Sequence, residues 1–208
     1  MEKQLIVKYL KARTIKPILF AALLAVFVSQ SVFADDISDV RSILQEKFDN
    51  IIIVLENKLL DDESKMAKIE DIIKPIFDFP LMSKLSLGRE SWTDMTKEEH
   101  VKFAELFTKV FKQAYLSKIL GYADEDIIFK ESDQVGKKIY ISSFIVSKEK
   151  KTSVLYKFYQ SGDGWKIYDV EIEGVSYIQS YRSQYTESLK EMTVTELMAK
   201  MEKLISSR

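Results

Sequence analysis

A single histidine, no cysteine and a few carboxylate clusters are all that this chain of 208 residues offers for catalysis or metal binding. Thiol nucleophiles and most metal sites are excluded by that inventory. His100 would need a serine and a carboxylate converging on it to act as a general base, yet no Gly-x-Ser-x-Gly elbow occurs. The nearest approach is the serine of Gly174-Val175-Ser176. Phosphate loops and dinucleotide fingerprints are absent as well. Asp169, Tyr156 and Tyr181 are polar residues that an enzymatic cavity could use, but they fall into no acid-base arrangement. Asp61-Asp62-Glu63 and Asp124-Glu125-Asp126 lack the alternating ligands and the glycine of a calcium loop, and read as helix caps and turns. Lys148 to Lys151 is a basic hairpin tip, either a solvated turn or a docking point for an acidic partner. No catalytic constellation, cofactor site or metal site is therefore expected.

The elements that would position these residues divide into helices first and strands second. Val40, Leu44, Phe48, Ile51 and Leu55 recur every three or four residues and predict one long amphipathic helix from Ile37. A second helix is expected from about Glu63 to Ile73, ended near Lys74 by the restriction that Pro75 places on it. A third runs through FPLMSKLSLG with Gly88 as its cap. A fourth opens on a capping box at Thr96 and Glu99 and continues to about Leu120. From Asp126 the apolar period falls to two, giving strands over Ile127–Glu131, Lys138–Val146, Thr152–Gln160 and Trp165–Glu173. On the last of these, alternation sets Trp165, Ile167, Asp169 and Glu171 on one side and Tyr168, Val170 and Ile172 on the other. Ser161-Gly162-Asp163-Gly164 signals a hairpin. Two further helices close the chain, the second opened by a capping box at Thr193 and Glu196. Short connections between consecutive strands predict an antiparallel meander with helices on its dry face, an α+β fold.

The chain's first residues read as an address. Lys3, Lys8, Lys11, Arg13 and Lys16 precede a short apolar run, Ile18 to Val28, and a small-residue exit at Val32-Phe33-Ala34. That is the pattern of a Sec signal peptide over 1–34, cut after Ala34. The run is shorter than the roughly 20 residues a membrane span needs, and no lipidation cysteine follows. The mature part, 35–208, is expected to be a single domain of 174 residues with 26 basic and 31 acidic side chains. A net charge near minus five argues against nucleic acid and against standing adsorption on anionic lipid.

What the mature sequence does supply is large apolar side chains. Ile139, Ile141, Phe144, Val146, Val154, Tyr156, Phe158, Val170 and Ile172 on the strands, with Phe79, Met82, Phe103, Phe107 and Phe111 on the helices, exceed what one face of a small sheet requires. They either fill one core or divide the interior into a core and a cavity.

The stretch from Trp165 to Tyr185, WKIYDVEIEGVSYIQSYRSQY, resembles the soluble periplasmic phospholipid shuttle of the Mla lipid-asymmetry system, the MlaC or toluene-tolerance auxiliary family. The likeness extends through FDFPLMSKLSLGRESW and TKEEHVKFAELFTKVFKQAY, with Phe77-Asp78-Phe79, Leu87-Gly88 and Trp92 in place. His100 stands where that family commonly has arginine. The resemblance implies a curved antiparallel sheet of about four to five strands wrapped by helices, a nuclear-transport-factor-like cone with an internal apolar pocket. It implies a periplasmic, monomeric carrier of phospholipid between the outer and inner membranes. Its partners would be an inner-membrane ABC transporter complex with an MCE-domain ring and an outer-membrane lipoprotein with porin. On that reading the pocket is lined by Phe79, Met82, Phe103, Phe107, Phe111, Ile139, Ile141, Phe144, Val154, Tyr156, Phe158, Val170, Ile172, Tyr177 and Tyr181. Lys148 to Lys151 and Lys166 would belong to a docking face. The alternative is a solute-binding subunit of an ABC transporter for sterol-like or aromatic hydrophobic compounds.

Overall fold

The computed structural model describes residues 18–122, 125–147 and 150–207, with backbone alone at 18–35, 116–118 and 122. Its elements run α1 (Ile18–Glu56), α2 (Asp62–Ile73), α3 (Phe79–Leu87), α4 (Arg89–Thr93) and α5 (Lys97–Ile119). They continue as β1 (Asp126–Val135), β2 (Lys138–Val146), β3 (Lys151–Ser161), β4 (Gly164–Ile172), β5 (Val175–Ser176), α6 (Tyr177–Ser188) and α7 (Val194–Ser206). The five strands form one antiparallel, curved and unclosed sheet in the order β1-β2-β3-β4-β5. This is the α+β arrangement expected, with α4 and β5 added. Residues 1–17, Asp124, Lys148 and Glu149, on which several of the sequence readings fall, lie outside the described residues.

Local chemistry explains where the helices begin and end. Asp61 accepts a hydrogen bond from the Ser64 amide at 2.8 Å and caps α2, with Asp62 and Glu63 in its positively polarised first turn. This acidic cluster is thus a helix start. Both capping boxes are formed: the Thr96 amide donates to Glu99 at 2.9 Å and the Glu99 amide to Thr96 at 3.2 Å, with the same reciprocity at Thr193 and Glu196. Gly88 joins α3 to α4 at φ +89° and ψ 160°, a conformation that only glycine adopts without strain. A Cβ there would meet Arg182 no closer than 3.7 Å, so space is not the obstacle. Gly88→Ala is expected to lower stability by about 1–3 kcal/mol through backbone strain alone, measured by denaturant melts.

The sheet departs from simple alternation at two bulges. In β4 the pairing passes from Lys157↔Asp169 to Phe158↔Ile167, leaving Tyr168 as the extra residue. The consequence corrects the parity expected from sequence. Ile167 joins Val170 and Ile172 on the inner face, opposite Phe158, Tyr156 and Val154 in turn, while Asp169 pairs with Lys157 on the outer one. The freed edge of β4 also takes in the segment before α3: the Ile167 amide donates to the Ile76 carbonyl at 2.7 Å, and the Asp78 amide to the Ile167 carbonyl at 2.9 Å. A second bulge between Phe129 and Ser132 breaks β1, which forms one edge of the sheet. There Arg41 of α1 donates to the Lys130 carbonyl at 2.9 Å and to Ser132 Oγ at 3.2 Å.

Three apolar clusters result. Phe79, Met82, Phe103, Phe107, Tyr181, Tyr185, Leu197 and Met201 unite α3, α5, α6 and α7. Val40 and Leu44 of α1 pack on Ile139, Ile141, Val154, Phe158, Ile167 and Val170 of the sheet. A small third cluster, Leu55, Ile69 and Ile73, ties the end of α1 to α2. Among the described residues no helix is long and apolar enough to cross a membrane.

Candidate functional site

Where these clusters meet they leave a cavity of about 180 Å³. Its walls are Leu44, Phe48, Ile51, Ile52 and Leu55 from α1, Ile73 at the end of α2 with Ile76 and Phe77 beyond it, and Phe111, Tyr115 and Ile119 from α5. Ile127, Ile145, Val154, Tyr156, Ile167, Val170 and Ile172 form the sheet side, with Tyr177 at the start of α6. Lys47 and Lys112 are the charged residues in the lining. An almost wholly apolar wall can desolvate hydrocarbon and offers no set of polar groups to activate a bond.

Of the residues proposed from sequence, the structure brings Phe111, Val154, Tyr156, Val170, Ile172 and Tyr177 into this wall. Others are placed elsewhere. Phe79, Met82, Phe103, Phe107 and Tyr181 pack into the helical cluster, because the stripe of α5 is shared lengthwise between helices on one side and cavity on the other. Ile139, Ile141 and Phe158 are inner-face residues covered by α1. Phe144 has the opposite parity to Ile145 and lies on the outer face, beneath the ammonium groups of Lys130 at 4.6 Å and Lys151 at 3.8 Å. The α1 residues missed as wall were visible only as an amphipathic stripe, and Ile167 was hidden by the bulge.

An aromatic partition divides the cavity from the helical core. Tyr115 and Tyr177 stack at 4.0 Å, and Phe111 contacts both, at 4.8 and 5.9 Å. Phe77 and Phe79 stack at 5.6 Å, so Phe79 lies just behind the wall. Deeper, burial raises the pKa of Tyr181 well above the ordinary phenol value, helped by the neighbouring tyrosines, and burial does the same to Tyr185. A phenol whose folded pKa exceeds its unfolded value of about 10 contributes stability that is complete below that pH. That contribution is lost as pH rises through the folded value. Stability should therefore fall above about pH 10. The Tyr185 hydroxyl is buried without a hydrogen-bond partner, so Tyr185→Phe should be neutral or stabilising by up to about 1 kcal/mol and should reduce the alkaline loss, followed by melts from pH 8 to 11.

The remaining polar candidates have structural partners. The His100 ring stacks on Trp92 at 4.2 Å and its Nε2–H donates to the Trp92 carbonyl at 2.7 Å. Asp169 accepts from Ser176 Oγ at 2.7 Å and from the Ile178 amide at 3.2 Å, anchoring the start of α6 to β4. Lys157 lies 3.0 Å from Asp169 and also bonds Glu171. Burial pulls its pKa down, but its bonds to Glu171 and Asp169 outweigh that and hold it above the ordinary lysine value. Asp169, Tyr156 and Tyr181 thus occupy three different environments. No group of three or more histidines or carboxylates able to hold a metal occurs among the described residues.

The sequence matches the MlaC protein family over residues 45–203, a span that includes every residue of the cavity lining except Leu44. The chain belongs to the MlaC family. No curated protein matches it significantly. Among solved structures, this MlaC chain is similar in fold to a phospholipid-binding protein from Ralstonia solanacearum, solved in complex with a phospholipid. The TM-score is 0.72 at 17% identity, covering 80% of this chain and 96% of that one.

Proposed function

We propose that this MlaC chain is a non-enzymatic periplasmic carrier that holds phospholipid acyl chains in the cavity and moves the lipid between the outer and inner membranes. The observation that carries this reading is the apolar cavity between α1, α5 and the inner face of the sheet. Family membership and the phospholipid in the Ralstonia protein support it. Two sixteen-carbon chains expose about 28 methylenes, so a carrier must replace over about 20 kcal/mol of membrane burial at roughly 0.8 kcal/mol each. An apolar cavity can do this, and an open surface groove cannot. Transfer is then nearly neutral, and its direction is set by contact with an ABC transporter complex carrying an MCE-domain ring at one end and a porin-associated lipoprotein at the other. A Sec leader over 1–34 delivers the chain to the periplasm. Cleavage after Ala34 would leave Asp35 and Asp36 in the first turn of the shortened α1, where acidic side chains suit the helix dipole.

A cavity of about 180 Å³ is close to the roughly 150 Å³ that holds one benzene ring, so loading a phospholipid requires the walls to separate. The wall best suited to give is α2, held by a small apolar cluster, a hydrogen bond from Lys65 to the Leu55 carbonyl at 2.8 Å and one ion pair to α5. The same volume, with six aromatic residues in the wall, favours the second reading, a sterol-like or aromatic ligand. Native mass spectrometry of exported protein purified without detergent separates the two. A bound phospholipid mass is expected; a sterol-like or aromatic mass would replace the leading reading with the second. Intact mass of the same sample should show a chain beginning at Asp35.

A further inference from the structure

Lys47 and Lys112 stand out because every other residue lining the cavity is uncharged. They come from different walls, α1 and α5, and the lining contains no carboxylate. Both ammonium-bearing side chains are mostly but not wholly covered, at 22% and 19% exposure, which places them at the boundary between the cavity and water. Each is paired with a carboxylate more exposed than itself. Glu46 lies 2.8 Å from Lys47 at 62% exposure, and Glu70 bridges from α2 to Lys112 at 36%. A lysine stem crossing an apolar wall to reach water explains either residue singly. Two of them line one apolar cavity in a chain whose mature part is net negative, and the carboxylate that each pairs with stands outside that lining.

We propose that Lys47 and Lys112 bind the phosphodiester of the ligand, so that the site selects phospholipids over uncharged lipids with the same chains. This rests on the lipid-binding reading above and adds a headgroup contact to it. An ammonium is a compact donor of charge-assisted hydrogen bonds, well matched to a singly charged phosphate oxygen pair at the end of buried hydrocarbon. The exchange strands no buried charge: the phosphate replaces Glu70 beside Lys112 and Glu46 beside Lys47, and both carboxylates turn into the water that already reaches them. Glu70 therefore acts as an internal competitor for the same cation. Because both ammonium groups remain partly exposed to water, the contact is sensitive to salt.

The test uses delipidated full-length mature protein supplied, from detergent micelles, with either dipalmitoyl phosphatidylglycerol or dipalmitoylglycerol; bound lipid is counted by native mass spectrometry. Wild-type protein should prefer the phospholipid by about tenfold or more, the range of charge-assisted contacts. K47M/K112M keeps both stems in the wall and should bring the preference close to unity. E70Q should raise phospholipid uptake. Raising salt from about 0.05 to 0.5 M should reduce the preference of the unmodified protein, an arm that needs no variant to fold. A preference unchanged by both the double substitution and salt overturns the phosphate contact while leaving lipid binding intact. Uptake of neither lipid by wild-type protein overturns both.

Discussion

Val154→Trp should strip the protein of its ligand while leaving it folded. Val154 sits on the inner face of β3 with 2% of its surface exposed, and its side chain forms part of the cavity wall. An indole there occupies space that acyl chain would fill. Displacing only two methylenes forfeits about 1.6 kcal/mol at about 0.8 kcal/mol each, already more than tenfold in affinity. The ring has an empty volume to enter, so the usual overpacking cost of about 1–3 kcal/mol should be mostly avoided. Co-purified lipid per folded protein, read by native mass spectrometry beside a thermal melt, checks both halves. A marked fall in melting temperature with lipid unchanged would make the position ordinary core.

Phe107→Ala should do the reverse. Phe107 is fully buried in the cluster between α5 and α6, edge-on to Tyr181 at 5.3 Å and beside Phe111 at 6.0 Å, and it does not line the cavity. Removing the ring deletes apolar burial and leaves a void, a loss of about 3–5 kcal/mol. That is comparable with much of a typical domain's net stability of about 5–15 kcal/mol. At about 2–4 °C per kcal/mol for a domain of this size, a fall of roughly 10 °C is expected. Lipid per folded molecule should stay at the wild-type level. Equal lipid loss in Phe107→Ala and Val154→Trp would mean that the partition of Phe77, Phe111, Tyr115 and Tyr177 does not separate core from site.

These two residues also mark where the sequence could and could not be read. Pro75, Gly88 and the threonines at 96 and 193 act within a few residues of themselves, so the helix limits they set were legible, and α2 and α5 end within a residue or two of expectation. Parity on β3 was legible for the same reason, alternation being a local property of an extended chain, whereas on β2 Phe144 was counted with Ile139 and Ile141 although it points the other way. The bulge at Tyr168 was not, since nothing in Ile167-Tyr168-Asp169 announces that β3 will skip a residue there. Nor does an amphipathic stripe state what it faces. Phe103 and Phe107 belong to the same stripe as Phe111 and Tyr115, but the first two meet α6 and α7, whereas the latter two meet open volume. Core and cavity demand the same side-chain chemistry. What distinguishes them is the separation of distant elements, which no short window of sequence encodes.

The open edge of the sheet has a consequence for how many copies can share a small volume. A ten-residue border strand with unpaired amides is a template onto which another molecule's strand can zip, the first step toward fibres. Here the template is interrupted in its middle: the bulge at Lys130 and Glu131 disrupts the regular ladder, and the Arg41 guanidinium has already claimed the Lys130 carbonyl that an incoming strand would need. The opposite border is only two residues long. Crowded molecules therefore lack a continuous rail on which to polymerise, and the chain can remain dispersed without closing its sheet into a barrel.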